Sequence, residues 1–130
     1  MTVRMIQTEK APKAIGPYSQ AVQAGNLIFI SGQIPIDPKS GDVSLFNGNA
    51  AEQARLVMKN LKGILESQGL TFENVVKTTI FLTNLEDFGK VNEVYASFFN
   101  DYKPARACVQ VARLPKDVGV EIEAVAQINQ

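Results

Sequence analysis

The stretch that decides the fold is residues 49–83, NAAEQARLVMKNLKGILESQGLTFENVVKTTIFLT. It opens with Asn49-Ala50-Ala51-Glu52, which has the composition of a helix start because an N-cap Asn is followed by an acidic residue at the third helical position. Gly69 is a typical helix stop. Between them, apolar residues recur at helical spacing: Ala54, Val57, Met58, Leu61, Ile64 and Leu65. The β-branched and aromatic segment Val75 to Thr83 then predicts a strand.

A β-hairpin is predicted on the N-terminal side of this helix–strand unit. Tyr18 to Ala24 and Leu27 to Ser31 flank the dipeptide Gly25-Asn26, which favours a two-residue turn with positive φ. The second arm is apolar at every position from Leu27 to Ile30, which is typical of a strand that is buried on both faces.

On the C-terminal side, Asn84-Leu85-Glu86-Asp87 predicts the start of a second helix, and Pro104 ends that helical stretch. One face of this helix is apolar, with Phe88, Val91, Tyr95 and Phe98. Two last strands are predicted over Arg106 to Ala112 and Val120 to Ile128. We therefore expect one α+β domain over residues 1–130, with a mixed β-sheet and two helices on one face.

Assembly follows from the same pattern. If both helices cover the same face of the sheet, strands that are apolar on both faces leave the other face bare in a monomer. Copies of the same chain can bury this surface, so we expect a homo-oligomer.

Composition limits the chemistry that this chain can perform. Thirteen basic residues balance thirteen acidic ones, so no overall field attracts a nucleic acid. The chain has one cysteine, Cys108, and no histidine, which argues against a disulfide, a structural metal and a His-activated nucleophile. The same residue types lead us to expect no metal. Because no secretory signal or membrane-length apolar run is present, we also expect a cytoplasmic protein with no membrane partner.

Four segments carry a resemblance to a known family. They are Gly16-Pro17-Tyr18-Ser19-Gln20-Ala21, Ile30-Ser31-Gly32-Gln33, Pro104-Ala105-Arg106-Ala107-Cys108-Val109, and Leu114-Pro115-Lys116 followed by Val120-Glu121-Ile122-Glu123-Ala124. In this order and spacing they resemble the Rid, or YjgF-type, family of reactive intermediate deaminases over essentially the whole chain. One departure is the connection from Phe99 to Pro104, which is a few residues shorter than in familiar bacterial members.

The resemblance implies a chorismate-mutase-like fold, a homotrimer with clefts between subunits, and no cofactor. It implies that the chain hydrolyses 2-imino acids such as 2-iminobutanoate and 2-iminopropanoate, or their enamine tautomers, to 2-keto acids and ammonia. Arg106 corresponds to the arginine that the deaminating members use. By the same resemblance the cleft is lined by Tyr18, Ser31, Gly32, Asn92, Cys108 and Glu121.

The chemistry of these residue types agrees with those roles. Strand alternation places Arg106, Cys108 and Gln110 on one face, and a guanidinium can bind a carboxylate through two parallel hydrogen bonds. Glu121 is the natural residue to handle the attacking water. The resemblance implies that another strand separates the strands of Arg106 and Glu121, although their short connection by itself favours a hairpin. We therefore expect these two residues to meet across a subunit boundary.

Alternatives remain for each of these residues. Arg106 and Glu121 could lie on solvated strand faces, since charged side chains are mostly exposed. Tyr18 could belong to the core, Ser31-Gly32 could be a simple turn, and Asn92 could be a surface amide. We assign Cys108 to the cleft wall rather than to a nucleophile, because no activating base is nearby in the sequence.

Two other functions are compatible with the same residues. The chain could be a non-catalytic regulatory protein that binds small keto or amino acids in the same cleft. It could also resemble animal members to which ribonuclease activity is attributed, but its neutral charge and lack of a basic, aromatic-rich segment argue against that.

Overall fold

The computed structural model describes residues 3–128. Its strands are β1 (Val3–Ile6), β2 (Ala21–Ala24), β3 (Leu27–Gln33), β4 (Val75–Leu82), β5 (Ala105–Gln110) and β6 (Val120–Gln127), and its α-helices are α1 (Ala50–Ser67) and α2 (Phe88–Ala96). The predicted hairpin, helices and later strands are confirmed, but two of their ends differ from the prediction. The first arm of the hairpin begins at Ala21 rather than Tyr18, and α2 ends at Ala96, so Phe98 lies beyond the helix and Pro104 does not terminate it. Strand β1 was not predicted, because four residues with three exposed positions carry too weak a pattern.

The local signals that predicted α1 operate as expected. The Asn49 side chain accepts a hydrogen bond of 3.1 Å from the backbone N–H of Glu52, which satisfies one of the free donors at the helix start. Gly69, just past the helix, has a φ of 73°, a conformation that glycine adopts without strain. The helix is therefore delimited by its own sequence.

The six strands form one mixed sheet in the order β1-β2-β3-β6-β4-β5. Strands β4 and β5 are parallel, and the other neighbouring pairs are antiparallel. Strand β4 lies between β5 and β6, so these last two strands do not form a hairpin. The order implied by the family resemblance is confirmed, and the hairpin that the short connection favoured is wrong.

Both helices pack on the same face of this sheet, as predicted. The buried core there includes the apolar side of α1, Val91 and Tyr95 of α2, and alternate residues of the strands. One row of paired residues crosses this face from edge to edge, and all but its last member are buried: Ile6, Ala21, Ile30, Ala124, Thr78 and Arg106. Arg106 thus ends a buried row at the sheet edge.

The opposite face is not covered by this chain. Its exposed apolar side chains include Met5 (75% exposed), Phe29 (47%) and Val109 (43%). In the single chain Ile28 and Ile30 are buried under the helices, whereas Phe29 points to the open face. One face of this doubly apolar strand is therefore bare in a single chain, as predicted. An apolar sheet face of this kind is typical of a surface that another protein surface covers.

Candidate active site

A β-bulge at the end of β3 shapes one part of the candidate site. Ile30 pairs with Ala124 and Gln33 with Ile122, so β3 has one residue more than β6 between these pairs. The bulge contains Ser31 and Gly32. Bulges re-aim side chains next to functional sites, and here Ser31 Oγ donates a hydrogen bond of 2.6 Å to the carbonyl oxygen of Ser19.

The Glu121 carboxylate lies directly against Gly32. A Cβ atom at position 32 would be 2.0 Å from Glu121 Oε2, so only glycine leaves room for the carboxylate in this place. Burial raises the pKa of Glu121, and the nearby negative charge of Glu123 raises it further. The side chain is therefore a half-buried carboxylate that takes up a proton more readily than an exposed glutamate does.

Four of the predicted site residues line one cleft with a volume of about 490 Å³: Tyr18, Ser31, Gly32 and Glu121. The half-exposed phenol of Tyr18 accepts a 3.4 Å hydrogen bond from the backbone N–H of Ile15. The cleft also has apolar walls, and Lys13 and Lys116 bring positive charge to it. Its size suits a small molecule.

The segment before β2 that carries Tyr18 is held by a buried glutamine. Gln20 accepts a hydrogen bond from the backbone N–H of Thr8 at 2.7 Å and donates to the carbonyl oxygens of Ala11 and Pro12 at 3.2 and 2.7 Å. These bonds attach the N-terminal loop to the rim of the cleft. The loop is therefore positioned by one side chain rather than by a strand.

The other predicted site residues lie together at the β5 edge of the sheet. Arg106 Nη1 donates a hydrogen bond of 2.6 Å to Asn92 Oδ1, and Asn92 is half-buried rather than a free surface amide. The guanidinium carbon lies 5.2 Å from the ring centre of Phe88 and 5.1 Å from that of Tyr95. Cys108 lies on the same side of β5, and burial raises the pKa of its thiol, although the charge of Arg106 partly opposes this.

These two groups of residues do not meet within one chain. Arg106 pairs with Thr78, whose side chain faces the helices, whereas Glu121 pairs with Phe81 on the open face. Their strands are also separated by β4. One chain thus presents a carboxylate cleft on one side of the sheet and an arginine on the other.

Two features of the site were not predicted from sequence. Phe88 and Tyr95 were assigned to the buried face of the second helix, but they also contact the Arg106 guanidinium. Their spacing with Asn92 along one side of the helix was the available signal. Lys13 and Lys116 lie far apart in sequence, and no local pattern marks them as neighbours in one cleft.

The described part of the chain shows neither a metal cluster nor a membrane span. Within residues 3–128 no three or more Cys, Asp or Glu side chains lie close enough together to hold a metal ion. No helix in this range has the length and apolar character needed to cross a bilayer.

Comparisons with known proteins identify the family. A family model described as Endoribonuclease L-PSP matches residues 8–128. The chain is 55% identical to a RutC family protein of Pyrococcus horikoshii over 122 residues, 94% of this chain and 95% of that protein. It is 52% identical to the 2-iminobutanoate/2-iminopropanoate deaminase of Escherichia coli over 126 residues, 95% of this chain and 96% of that protein.

Among solved structures, that of Escherichia coli TdcF with bound serine superposes with a TM-score of 0.90 at 46% identity, covering 97% of this chain and 99% of that chain. The likeness therefore extends through the whole fold, and relatives that match over nearly their full length are named deaminases. The chain belongs to the Rid, or YjgF-type, family.

Proposed function

We propose that this protein is a 2-imino acid deaminase that hydrolyses 2-iminobutanoate and 2-iminopropanoate, or their enamine tautomers, to 2-keto acids and ammonia. The observation that carries the proposal is the half-buried carboxylate of Glu121, which lies against Gly32 in a cleft of small-molecule size. A related protein, 52% identical, is named for this reaction. A carboxylate in such a place can accept a proton from water.

We further propose that the protein works in the cytoplasm as a homotrimer without a cofactor. Contact between copies through the open sheet face would bury Met5, Phe29 and Val109. It would also bring the β5 edge of one subunit, which carries Arg106, to the cleft of the next subunit, which contains Glu121. This arrangement joins the two groups that a single chain keeps apart.

In the assembled cleft, Arg106 binds the carboxylate that every 2-imino acid carries. Its bond to Asn92 uses one N–H of Nη1, and the remaining N–H groups of the guanidinium can form two parallel hydrogen bonds. Cys108 forms part of the wall beside it. Its raised pKa keeps it a neutral thiol at neutral pH, so it contributes shape and no charge.

Glu121 directs the chemistry at C2 of the bound imine. It accepts a proton from the attacking water as the new C–O bond forms and passes it to the imine nitrogen, which gives a carbinolamine. It then carries the hydroxyl proton of the carbinolamine to the nitrogen as the C–N bond breaks and the C=O bond forms. The products are the 2-keto acid and ammonia, so one water is consumed. Because the site supplies orientation and one acid–base group, and water is the nucleophile, it needs no nucleophilic side chain.

A coupled assay tests the proposed reaction. A threonine dehydratase or an amino-acid oxidase releases 2-imino acids, and keto-acid formation is then followed with and without the purified protein. We expect the protein to accelerate keto-acid release and to shorten the lifetime of the imine. An unchanged imine lifetime at micromolar protein would contradict the proposal.

The trimer is tested by sedimentation. At micromolar concentration the wild type is expected to sediment with a mass three times the 14.2 kDa of one chain. Phe29→Glu places a charge at the centre of the proposed interface and is expected to produce monomers, because an unpaired charge is costly to bury. Leu85→Glu is the matched control, since Leu85 is equally exposed but lies in a turn before α2. A monomeric wild type would exclude the shared cleft.

Gly32→Ala tests the placement of Glu121. The new methyl group must displace the end of a flexible side chain, not the backbone, so the variant is expected to fold and assemble. A shift of about 1 Å in a reacting group can cost roughly 100-fold in rate, and we expect a loss of that order in the coupled assay. Gly89→Ala is the control, because a Cβ there meets no atom within 4 Å. Full activity in Gly32→Ala would show that the carboxylate position is not critical.

A regulatory role is the second candidate, and the bound serine in the related TdcF structure favours it. In that case the cleft binds a small amino or keto acid without turning it over. Calorimetric titration with 2-ketobutyrate beside the coupled assay separates the two functions. Binding without any acceleration of imine loss would favour the regulatory role.

The family description also raises cleavage of RNA. Thirteen basic and thirteen acidic residues leave the chain without net charge, whereas proteins that bind RNA without sequence preference combine basic grooves with aromatic stacking surfaces. We therefore propose no RNA substrate for this chain.

A further inference from the structure

Arg106 is surrounded by three side chains from one side of α2. Phe88, Asn92 and Tyr95 are spaced by four and three positions, which places them on one side of the helix. The guanidinium carbon lies 5.2 Å from the ring centre of Phe88 and 5.1 Å from that of Tyr95, while Asn92 accepts a hydrogen bond from Nη1. These distances are within the range of cation–π attraction.

The Tyr95 ring is itself held in place. Its hydroxyl shares a 2.7 Å hydrogen bond with Thr78 Oγ1, and both residues are buried, with 5% and 1% of their surfaces exposed. Its ring packs on Phe99, with the centres 4.9 Å apart. Thr78 is the β4 residue that pairs with Arg106 of β5. The ring is thus tied to the strand position beside the arginine that it contacts.

Arg106 has no carboxylate partner in the described residues, unlike Arg55 and Arg113; Arg4, which also lacks one, binds the side chains of Gln23 and Gln68 instead. In the described residues, the salt bridges join Arg55 to Glu52 and Arg113 to Asp117, and none involves Arg106. A carboxylate partner would occupy the N–H groups that a ligand needs and would compete with the ligand's own carboxylate. Aromatic faces attract the cation without taking any of its hydrogen bonds.

We propose that Phe88 and Tyr95 form an aromatic slot that positions Arg106, so that the guanidinium stays oriented and free to bind a carboxylate. Phe88 and Tyr95 are positioning residues that act through Arg106, and Thr78 fixes Tyr95. The identity of the anion rests on the proposed function, in which it is the carboxylate of the 2-imino acid. The slot itself is a property of the free protein.

A measurement without substrate tests the slot independently of activity. The arginines of the chain are Arg4, Arg55, Arg106 and Arg113, so the ¹⁵Nε–Hε signals can be assigned by single substitutions. In the wild type, Arg106 is expected to have a high Nε–Hε order parameter. In Tyr95→Leu and Phe88→Leu it is expected to fall below about 0.6, the range of flexible groups.

Two further variants refine this measurement. Tyr95→Phe keeps the ring but loses the bond to Thr78, so it is expected to restore most of the order that Tyr95→Leu loses. Tyr102→Leu is the matched control, because the Tyr102 hydroxyl donates to the carbonyl oxygen of Val75, whereas the rings over which the guanidinium lies are those of Phe88 and Tyr95. Phe88→Leu keeps the test valid if Tyr95→Leu fails to fold, since Phe88 is only half-buried.

Binding and kinetics provide the second readout. Arg106 is exposed, and loss of one cation–π contact at an exposed site corresponds to roughly a two- to five-fold loss of affinity. Phe88→Leu and Tyr95→Leu are therefore each expected to bind 2-ketobutyrate about two- to five-fold more weakly than the wild type. KM for the imine is expected to rise by a similar factor, while kcat changes much less.

The outcomes separate the two proposals. An Arg106 order parameter that stays high in folded Phe88→Leu and Tyr95→Leu overturns the slot, whatever the activity. A wild type that never accelerates imine hydrolysis overturns the proposed function but not the slot, provided that the variants loosen Arg106 and weaken keto-acid binding. A fall in order with unchanged keto-acid affinity and KM also overturns the positioning role.

Discussion

Arg106→Ala and Arg106→Lys are both expected to lower kcat/KM for imine hydrolysis by at least about two powers of ten, because hydrogen bonds to charged groups contribute roughly 1.5 to 3 kcal/mol each. Lysine keeps the positive charge but cannot form two parallel bonds to a carboxylate. It also has no planar group to lie between the Phe88 and Tyr95 rings. The charge alone is therefore not expected to restore activity.

Arg113→Lys is the matched control for this prediction. Arg113 is exposed and binds Asp117 at 2.6 Å, and it belongs to neither half of the candidate site. Sedimentation establishes that each variant keeps its oligomeric state, and the coupled assay measures the loss. Normal turnover by an intact Arg106→Ala oligomer would show that the cleft is wrongly assigned.

Glu121→Gln is expected to abolish turnover while keeping affinity for a keto acid such as pyruvate or 2-ketobutyrate. An amide fills the same space but cannot accept the proton of the attacking water, and the loss of a general base costs typically 10²- to 10⁴-fold. Calorimetric titration measures the affinity and the coupled assay measures the turnover. Joint loss of binding and turnover would indicate a binding role for Glu121, and unchanged turnover would exclude it as the base.

The pH dependence of the wild type tests the same role. Only the ionised carboxylate accepts a proton, so activity is expected to fall as the pH drops through the pKa of Glu121. Since burial and Glu123 raise this pKa, the fall is expected to begin at a higher pH than for an exposed glutamate. Glu123→Gln removes the neighbouring negative charge, one of the two causes of the raised pKa. It is therefore expected to move the fall in activity to lower pH.

The raised pKa of Glu121 also affects stability in a definite direction. A carboxyl group whose pKa is higher in the folded than in the unfolded state binds more protons when folded, at pH values between and around the two pKa values. Its contribution to the free energy of unfolding therefore declines as the pH rises through that interval. Glu121→Gln removes this cost. The variant is therefore expected to be at least as stable as the wild type at neutral pH, which thermal melting can measure.

Local patterns were sufficient for the helices and for most of the strands. Helix α1 was predicted from Asn49, its apolar spacing and Gly69, and the structure has the cap and the stop in those places. The hairpin around Gly25-Asn26 was predicted from its turn residues, and Ala24 and Leu27 pair across it. Capping and periodicity act between residues a few positions apart, so one segment of sequence contains all the partners.

The order of the strands could not be derived from local pattern. Residues 111–119 form a short connection between β5 and β6 that favours a hairpin, yet β4 lies between those strands. The resemblance carried by four motifs predicted this order correctly, whereas loop length did not. Strand pairing depends on partners that are distant in sequence, and here β6 pairs with both β3 and β4.

The sequence by itself determined which residue types are available for chemistry: an arginine suited to carboxylates, a glutamate able to accept a proton, one thiol and no histidine. Only the tertiary structure decided how they are arranged. It placed Glu121 against Gly32 at a bulge, set Arg106 between Phe88 and Tyr95, and put these two groups on opposite faces of one sheet. The physical reason lies in long-range contacts. A sheet face, a β-bulge and the aromatic slot are formed by hydrogen bonds and packing between strands and helices that are far apart in the chain. No single segment of the sequence therefore contains them.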